Sequence, residues 1–132
     1  KDMQVSCMFW GVACGDGWYS LIRECCEHLQ TRINHDPNLW PQVVAAQIKE
    51  KFGTLCFYIE SRKAPSAEDW PLFAQSEIIN SYERMSGCTC ERCGTTSVDA
   101  GVTTKSGGVA SPGWIRTLCE NCRNTPHPRD ED

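Results

Sequence analysis

The chain carries two short cysteine pairs, Cys90-Glu91-Arg92-Cys93 and Cys119-Glu120-Asn121-Cys122, with 25 residues between them. Both sulfurs of such a pair can reach one ion, and two pairs supply four thiolates in a tetrahedron with no position left open for water. Gly94 follows the first pair, where a tight turn favours a residue that tolerates positive φ. The spacing predicts a structural zinc ion bound by Cys90, Cys93, Cys119 and Cys122.

A redox role for the cysteine pairs, or a zinc site with a different fourth ligand, would be alternatives to this interpretation. A redox Cys-x-x-Cys motif is typical of a helix start in a βαβ pattern, which this sequence lacks. Cys88, two residues before Cys90, is the competing fourth ligand. His127 is a weaker competitor, because it lies between two prolines near the end of the chain.

The remaining cysteines bear on the cellular compartment. Six of the ten lie outside the two pairs and show no spacing typical of a disulfide framework: Cys7, Cys14, Cys25, Cys26, Cys56 and Cys88. Cys25 and Cys26 are adjacent, which is awkward for two separate disulfides. We therefore expect a reducing cytoplasm, that of a bacterial host cell.

Charge and hydropathy restrict the partners. The chain has a net charge of −4, whereas residues 87–129 hold five basic and three acidic residues. Four zinc-bound thiolates would bring that region close to neutral, so we expect only weak nucleic-acid binding. No apolar run approaches the roughly 18 to 20 residues that cross a bilayer, and Cys7–Trp10 is too short for a signal sequence, so no membrane association is expected.

The first part of the chain predicts a helix that ends near Asn34–Pro37, since proline restricts the residue before it. Asp16 is the expected N-cap of this helix. Its core positions recur at steps of three and four: Trp18, Leu21, Ile22, Cys25, Leu29 and Ile33.

Residues 42–60 predict a β-hairpin with its turn at residues 51–54. Leu55, Phe57 and Ile59 alternate with more polar residues and are expected to face the core. The matching inward positions on the first strand are expected to be Val44, Ala46 and Ile48. A helix over residues 42–51 remains the alternative, because Ala, Gln, Lys and Glu favour helices.

A second helix is predicted from Glu68 to Met85, ending at Gly87. Its expected core positions are Trp70, Phe73, Ile78, Tyr82 and Met85. The expected fold class is α+β, with helix, hairpin and second helix forming a small core over residues 1–86. A four-cysteine module of zinc-ribbon or treble-clef type would pack on it over residues 87–124, followed by a disordered tail, 125–132.

Three stretches together carry a resemblance: GDGWYSLI (residues 15–22), KEKFGTLCFY (49–58) and GWIRTLC (113–119). The set resembles small hypothetical zinc-binding proteins encoded by tailed bacteriophages and prophages. That resemblance covers most of residues 14–122 and implies a phage setting rather than a particular activity.

The zinc part alone also resembles the ββα-metal, or HNH, nucleases in a degenerate form. The shared outline is Cys-x-x-Cys-Gly, Asp99, the Gly107-Gly108 turn and a second Cys-x-x-Cys. Ala100 stands where that family places the general-base histidine. Without an imidazole there, the mechanism cannot activate water against a phosphodiester.

Other catalytic arrangements are equally incomplete. His28 lies beside Cys25 and Cys26 in the first predicted helix, but of two adjacent helical cysteines we expect one to be packed and one exposed. His35 sits in a turn-forming Asn-His-Asp-Pro segment, where a solvated side chain is the default. Asp16, with the two aromatic residues that follow Gly17, could line a pocket, and an N-cap beside core aromatics is the simpler interpretation.

These observations lead to one expectation about function and two alternatives. We expect a non-enzymatic phage or prophage protein that binds a host protein and inhibits a bacterial defence system. The first alternative is a small nucleic-acid-binding zinc module, which would need its basic residues on one face: Arg92, Lys105, Arg116 and Arg123. The second, a degenerate HNH-type nuclease, lacks visible machinery.

Overall fold

The computed structural model describes residues 14–61 and 70–126 and has the predicted α+β class. In chain order it contains a 3-10 turn (Asp16–Trp18), α1 (Tyr19–His35), β1 (Val43–Lys51), β2 (Thr54–Ser61), α2 (Trp70–Ser86), a 3-10 turn (Val98–Ala100), β3 (Thr103–Gly107), β4 (Ser111–Leu118) and the short helix α3 (Glu120–Arg123). The predicted helix start at Glu68, the segment Cys7–Trp10 and residues 127–132 lie outside the described residues. Within the described ranges, no helix is both long enough and apolar enough to cross a membrane.

The first helix, α1, buries the predicted apolar stripe. The buried positions are Trp18, Leu21, Ile22, Cys25, Cys26, Leu29 and Ile33. Both adjacent cysteines are fully buried, so the expectation of one exposed thiol was wrong. The helix ends at His35 as predicted, and the backbone N–H of Asp36 still donates to the Arg32 carbonyl at 3.2 Å.

The predicted cap of α1 was wrong. Trp18 occupies the N-cap position, while Asp16 opens the preceding 3-10 turn. This turn has a different role, because Gly15 before it and Gly17 within it contact the first cysteine pair, as described below.

Residues 43–51 form a strand rather than a helix, and β1 pairs antiparallel with β2. Leu55 and Phe57 are buried and Ile59 packs against the core as predicted. The inward face of β1 differs from the prediction. A register shift lies between Ala45 and Gln47, so the buried residues are Val43, Ala45 and Ile48. One extra residue in a bulge moves every earlier side chain to the other face, and Val44 and Ala46 are therefore not part of the core.

Side chains of α2 cover the outer edge of β2. The backbone N–H of Leu55 donates to Ser86 Oγ at 3.0 Å, and that of Phe57 donates to Glu83 Oε2 at 2.9 Å. These strand donors point away from β1, so they would otherwise form an open edge. The contacts fix α2 along the hairpin.

The buried face of α2 also differs from the prediction. Ile78 and Tyr82 pack against the core as predicted, and the side chain of Trp70 lies outside the described residues. Phe73 and Met85 are exposed, while Gln75, Ile79 and Ser86 are buried. Gln75 is held by a hydrogen bond of its side-chain amide to the Pro41 carbonyl at 3.1 Å. A periodicity of apolar residues alone could not find this face, because two of its buried members are polar.

The C-terminal module has its own small core beside the β3–β4 hairpin. Its buried members are Cys90, Ala110, Leu118, Cys119 and Cys122. Both strands, β3 and β4, lie between the two cysteine pairs, and β4 leads directly into the second pair. The proposed boundaries at residues 86 and 124 stay a prediction.

The hairpin core gives a direct test of side-chain alternation. Leu55→Ala and Phe57→Ala should each lower the free energy of unfolding by roughly 2 to 5 kcal/mol, because both leave a cavity in a buried site. Tyr58→Ala should cost much less, since Tyr58, the residue after Phe57, is 46% exposed. Urea unfolding of the three variants measures this. Equal losses for Tyr58 and Phe57 would contradict the assignment.

Candidate metal centre

The four predicted cysteines converge in space. The sulfurs of Cys90, Cys93, Cys119 and Cys122 all lie within 4.8 Å of one another, and Cys93 Sγ is 3.8 Å from Cys119 Sγ. A tetrahedral ion with metal–sulfur bonds of about 2.3 Å needs sulfurs about 3.8 Å apart. The four thiols are therefore close enough to hold a metal ion.

Backbone hydrogen bonds shape the first cysteine pair into a tight loop. The N–H of Cys90 donates to the Thr95 carbonyl at 3.0 Å, and the N–H of Gly94 donates to the Cys90 carbonyl at 2.9 Å. Gly94 has φ +80°, which explains the glycine at this position. The Cys93 N–H points at Cys90 Sγ, 3.5 Å away.

The second pair is positioned by a helix start. Cys119 is the N-cap residue of α3, and its sulfur accepts the N–H of Cys122 at 3.4 Å. In both pairs the second cysteine thus donates its peptide N–H to the sulfur of the first. A donor aimed at sulfur favours the thiolate, which is the form that binds metal.

The thiols differ in how readily they ionise. Burial opposes ionisation of Cys90, but peptide N–H groups of Cys119, Cys93 and Arg92 outweigh it and lower the pKa of Cys90 to about 7. Burial and the neighbouring sulfurs raise the pKa of Cys122 well above its ordinary value. One thiolate forms easily, and a bound cation would supply the charge that lets the others ionise.

Of the competing ligands, Cys88 does not join this group. Cys88 is exposed, and within the described residues the cluster contains four cysteines without it. His127 lies outside the described residues. Cys14 is part-buried, and burial is the main cause that raises the pKa of its thiol to about 12. Three of the four clustered cysteines are buried and Cys93 is exposed.

Glu91, the residue after Cys90, joins the cysteine loop to both other parts of the molecule. Its carbonyl accepts the Gly17 N–H at 2.7 Å, and its own N–H donates to the Thr117 carbonyl of β4 at 2.9 Å. Its carboxylate accepts the Gly15 N–H at 2.9 Å. The 3-10 turn before α1 and the strand β4 therefore meet at one residue of the cysteine loop, Glu91.

The two glycines permit this approach by lacking a side chain. A Cβ atom at Gly17 would lie 2.2 Å from the Cys90 carbonyl oxygen, and one at Gly15 would lie 2.5 Å from the Glu91 carbonyl oxygen. Non-bonded atoms do not approach each other this closely, so any larger residue at either position would push the cysteine loop away.

Trp18 strengthens the same contact between the 3-10 turn and the cysteine loop, which we call the joint. It is fully buried, and its indole N–H donates to the Thr89 carbonyl at 2.9 Å. Tyr19 and Asp16 are exposed instead. Residues 16–19, which could have lined a pocket, therefore pack against the cysteine loop through Trp18.

A cluster of buried charges adjoins the joint. Arg116 lies 3.1 Å from Glu50 and 3.4 Å from Glu91, whose side chains are 6% and 5% exposed. Glu50 also accepts the Trp114 indole N–H at 3.0 Å and the Gly53 N–H at 2.6 Å. Burial raises the pKa of Glu91, while hydrogen bonding and the charge of Arg116 act in the opposite direction. Two carboxylates thus share one guanidinium.

Thr117 adds a further bond between the two hairpins. Its hydroxyl donates to the Gly53 carbonyl at the tip of the β1–β2 hairpin and lies 2.6 Å from the Thr104 hydroxyl. Thr117 is fully buried. The tip of the β1–β2 hairpin is therefore fixed to strand β4 of the other hairpin.

The predicted basic residues do not form one free face. The buried guanidinium of Arg123 donates to a series of carbonyls, those of Thr103, Lys105, Ser106, Arg116 and Leu118. Arg92 donates to the carbonyls of Cys122 and Thr125. Arg116 is engaged by the two glutamates. Among the four, Lys105 alone is exposed.

The positions considered for catalysis have other environments. Asp99 is exposed in a 3-10 turn, and Ala100 packs against the apolar cluster of the cysteine module. His28 lies 3.3 Å from the Tyr82 hydroxyl, next to α2. Comparison with protein-family models, curated proteins and solved structures found no match to this chain.

Sequence reasoning found the four cysteines but missed the residues that position them. Glu91 gave no signal, since a charged residue inside a Cys-x-x-Cys pair is ordinarily solvated. Arg123 was considered only as one of the basic residues that nucleic-acid binding would need, and its buried position was not predicted. The Gly-Asp-Gly run at residues 15–17 was the available clue, because paired glycines often mark close backbone approach.

The joint predicts a specific sensitivity at Gly17. Gly17→Ala should lower the free energy of unfolding by about 1 to 3 kcal/mol, because its Cβ overlaps the Cys90 carbonyl. Gly87→Ala is the matched control, since its Cβ would meet only the Arg84 carbonyl at 3.4 Å. Thermal and urea unfolding compare the two. The close approach is refuted if both variants keep wild-type stability.

Proposed function

We propose that the metal is zinc and that its role is structural. Four thiolates are soft ligands, and a tetrahedral set of four is typical of closed zinc sites. The distances between the sulfurs support this assignment. An ion with four protein ligands has no exchangeable position for substrate, which favours a structural over a catalytic role.

We further propose that the protein acts without catalysis, by binding another protein. The observation that carries this proposal is the exposure of apolar side chains on two segments that meet, the tip of the β1–β2 hairpin and β4. Phe52 is 68%, Trp114 52% and Ile115 44% exposed. Grouped apolar exposure on a soluble domain is typical of an interaction site.

Nucleic-acid binding is less well supported. Affinity for nucleic acid comes mainly from cations that neutralise phosphates and release counterions. The guanidinium groups of Arg92, Arg116 and Arg123 are engaged with carbonyls and carboxylates of the protein itself. They are poorly placed to contact phosphates.

The biological setting is proposed from the sequence. Residues 15–22, 49–58 and 113–119 carry the resemblance to phage and prophage proteins. A protein of that class acts in the bacterial cytoplasm, and the proposed partner is a host protein, with inhibition of a defence system as the proposed effect. A degenerate nuclease is not favoured, because Ala100 cannot act as a base.

Purified protein should contain one zinc ion per chain. A Cys93→Ala/Cys119→Ala double variant should lose the ion, since only two thiolates of the cluster remain. Cys88→Ala is the control, because Cys88 is exposed and lies outside the cluster. Elemental analysis after gel filtration measures the content. Iron in place of zinc, or full retention in the double variant, would contradict the proposal.

Partner binding is tested by affinity capture from bacterial lysate. We expect the tagged protein to retain a host protein after nuclease treatment, and the purified pair to form a stoichiometric complex again. Nucleic acid is quantified in the same eluate before that treatment. Retention of nucleic acid alone, with no protein that rebinds after purification, would reject this function in favour of the alternative.

A further inference from the structure

Phe52 has an unfavourable place at the tip of the β1–β2 hairpin. Its φ is +52° and that of Gly53 is +85°, the combination of a type I′ turn. The first position of that turn favours Asn, Asp or Gly, because a larger side chain is strained at positive φ. Phe52 is also 68% exposed, so its ring contributes little to the stability of the fold through burial. Neither the backbone nor the core explains a phenylalanine here.

The surroundings of Phe52 are held in place from two sides. Glu50 accepts the Trp114 indole N–H at 3.0 Å, and a Cβ on Gly53 would lie 3.2 Å from Ile115 Cγ2. The residues on both sides of the hairpin tip therefore meet consecutive residues of β4. We name Phe52, Trp114 and Ile115 the hairpin-tip surface.

The charge around this surface differs from that of the whole chain. Residues 49–54, 103–107 and 111–118, together with Glu91, contain four basic and two acidic residues, a net +2, whereas the chain carries −4. The two acidic side chains, of Glu50 and Glu91, are only 6% and 5% exposed, and both pair with Arg116. Lys51 and Lys105 are exposed. A positive rim in an acidic protein favours a partner of negative charge.

We propose that the hairpin-tip surface binds an acidic polypeptide segment with apolar side chains, Phe52 being the central anchor. This rests on the proposed protein-binding function and specifies the chemistry of its partner. A second copy of the chain is disfavoured as occupant, because a two-fold interface would place equal positive rims together. Single-stranded nucleic acid could stack on Phe52 and Trp114, but it is disfavoured because Arg116 is already paired with Glu50 and Glu91 and is not available for phosphates.

The key variant is Phe52→Asn, which replaces the anchor by a residue that the turn favours. It should raise the melting temperature, by roughly 3 to 6 °C, and weaken partner binding, by roughly tenfold or more. The matched control is Phe73→Gln, because Phe73 is 69% exposed on α2 and does not belong to the hairpin-tip surface. The control should bind like the wild type.

Three labelled probes test the partner chemistry: a peptide of alternating glutamate and leucine, its lysine–leucine counterpart and a thymidine oligonucleotide. The full-length protein should bind the acidic peptide most tightly, and Phe52→Asn should reduce that binding while Phe73→Gln leaves it unchanged. Equal or tighter binding of either other probe overturns the inference, and so does the absence of any binding.

A second comparison separates this inference from the proposed function. The protein captured from lysate is titrated against wild type, Phe52→Asn and Phe73→Gln. Loss of affinity in Phe52→Asn alone supports the hairpin-tip surface as the binding site. Equal affinity for all three overturns the inference and leaves protein binding intact, whereas failure of capture rejects the function, and the probe titrations then decide the surface separately.

Discussion

The structure depends on the backbone of Glu91, the residue after Cys90. Its carbonyl accepts the N–H of Gly17, and its N–H donates to the Thr117 carbonyl of β4. Glu91 is buried, so leaving either bond unmade would cost free energy. Its position is fixed by Cys90, a member of the four-cysteine cluster. A metal ion bound there would therefore hold the N-terminal turn, the cysteine loop and β4 in one arrangement.

The same constraint reaches the exposed end of the molecule. Thr117, whose carbonyl binds Glu91, also donates its hydroxyl to Gly53 at the hairpin tip. Arg116 links Glu91 to Glu50, two residues before Phe52. Hence the segment that carries the proposed binding surface is joined to the metal centre by hydrogen bonds and ion pairs. A structural ion would in this way preorganise a surface that it does not touch, which lowers the entropic cost of binding.

Local patterns predicted the elements, whereas long-range contacts could not be read from them. The cysteine spacing identified the cluster because each pair is local in sequence, and the stripe of α1 followed from helical periodicity. The bulge at Ala46 was invisible, because one extra residue changes the face without changing composition. The burial of Gln75 and Glu91 was missed because their hydrogen-bond partners, Pro41 and Gly15, are distant in sequence. Burying a polar side chain costs free energy unless it is hydrogen-bonded, and these bonds exist only in the folded chain.

Hydrogen–deuterium exchange with and without a metal chelator tests the central claim most directly. Removing the ion should expose the amides of Glu91 and Gly17 together, with residues 88–122 losing protection first. The amides of Leu55 and Phe57, which donate to Ser86 and Glu83 of α2, should remain protected longer. Persistent protection of Glu91 and Gly17 after complete metal removal would contradict the account, because the joint would then not depend on the ion.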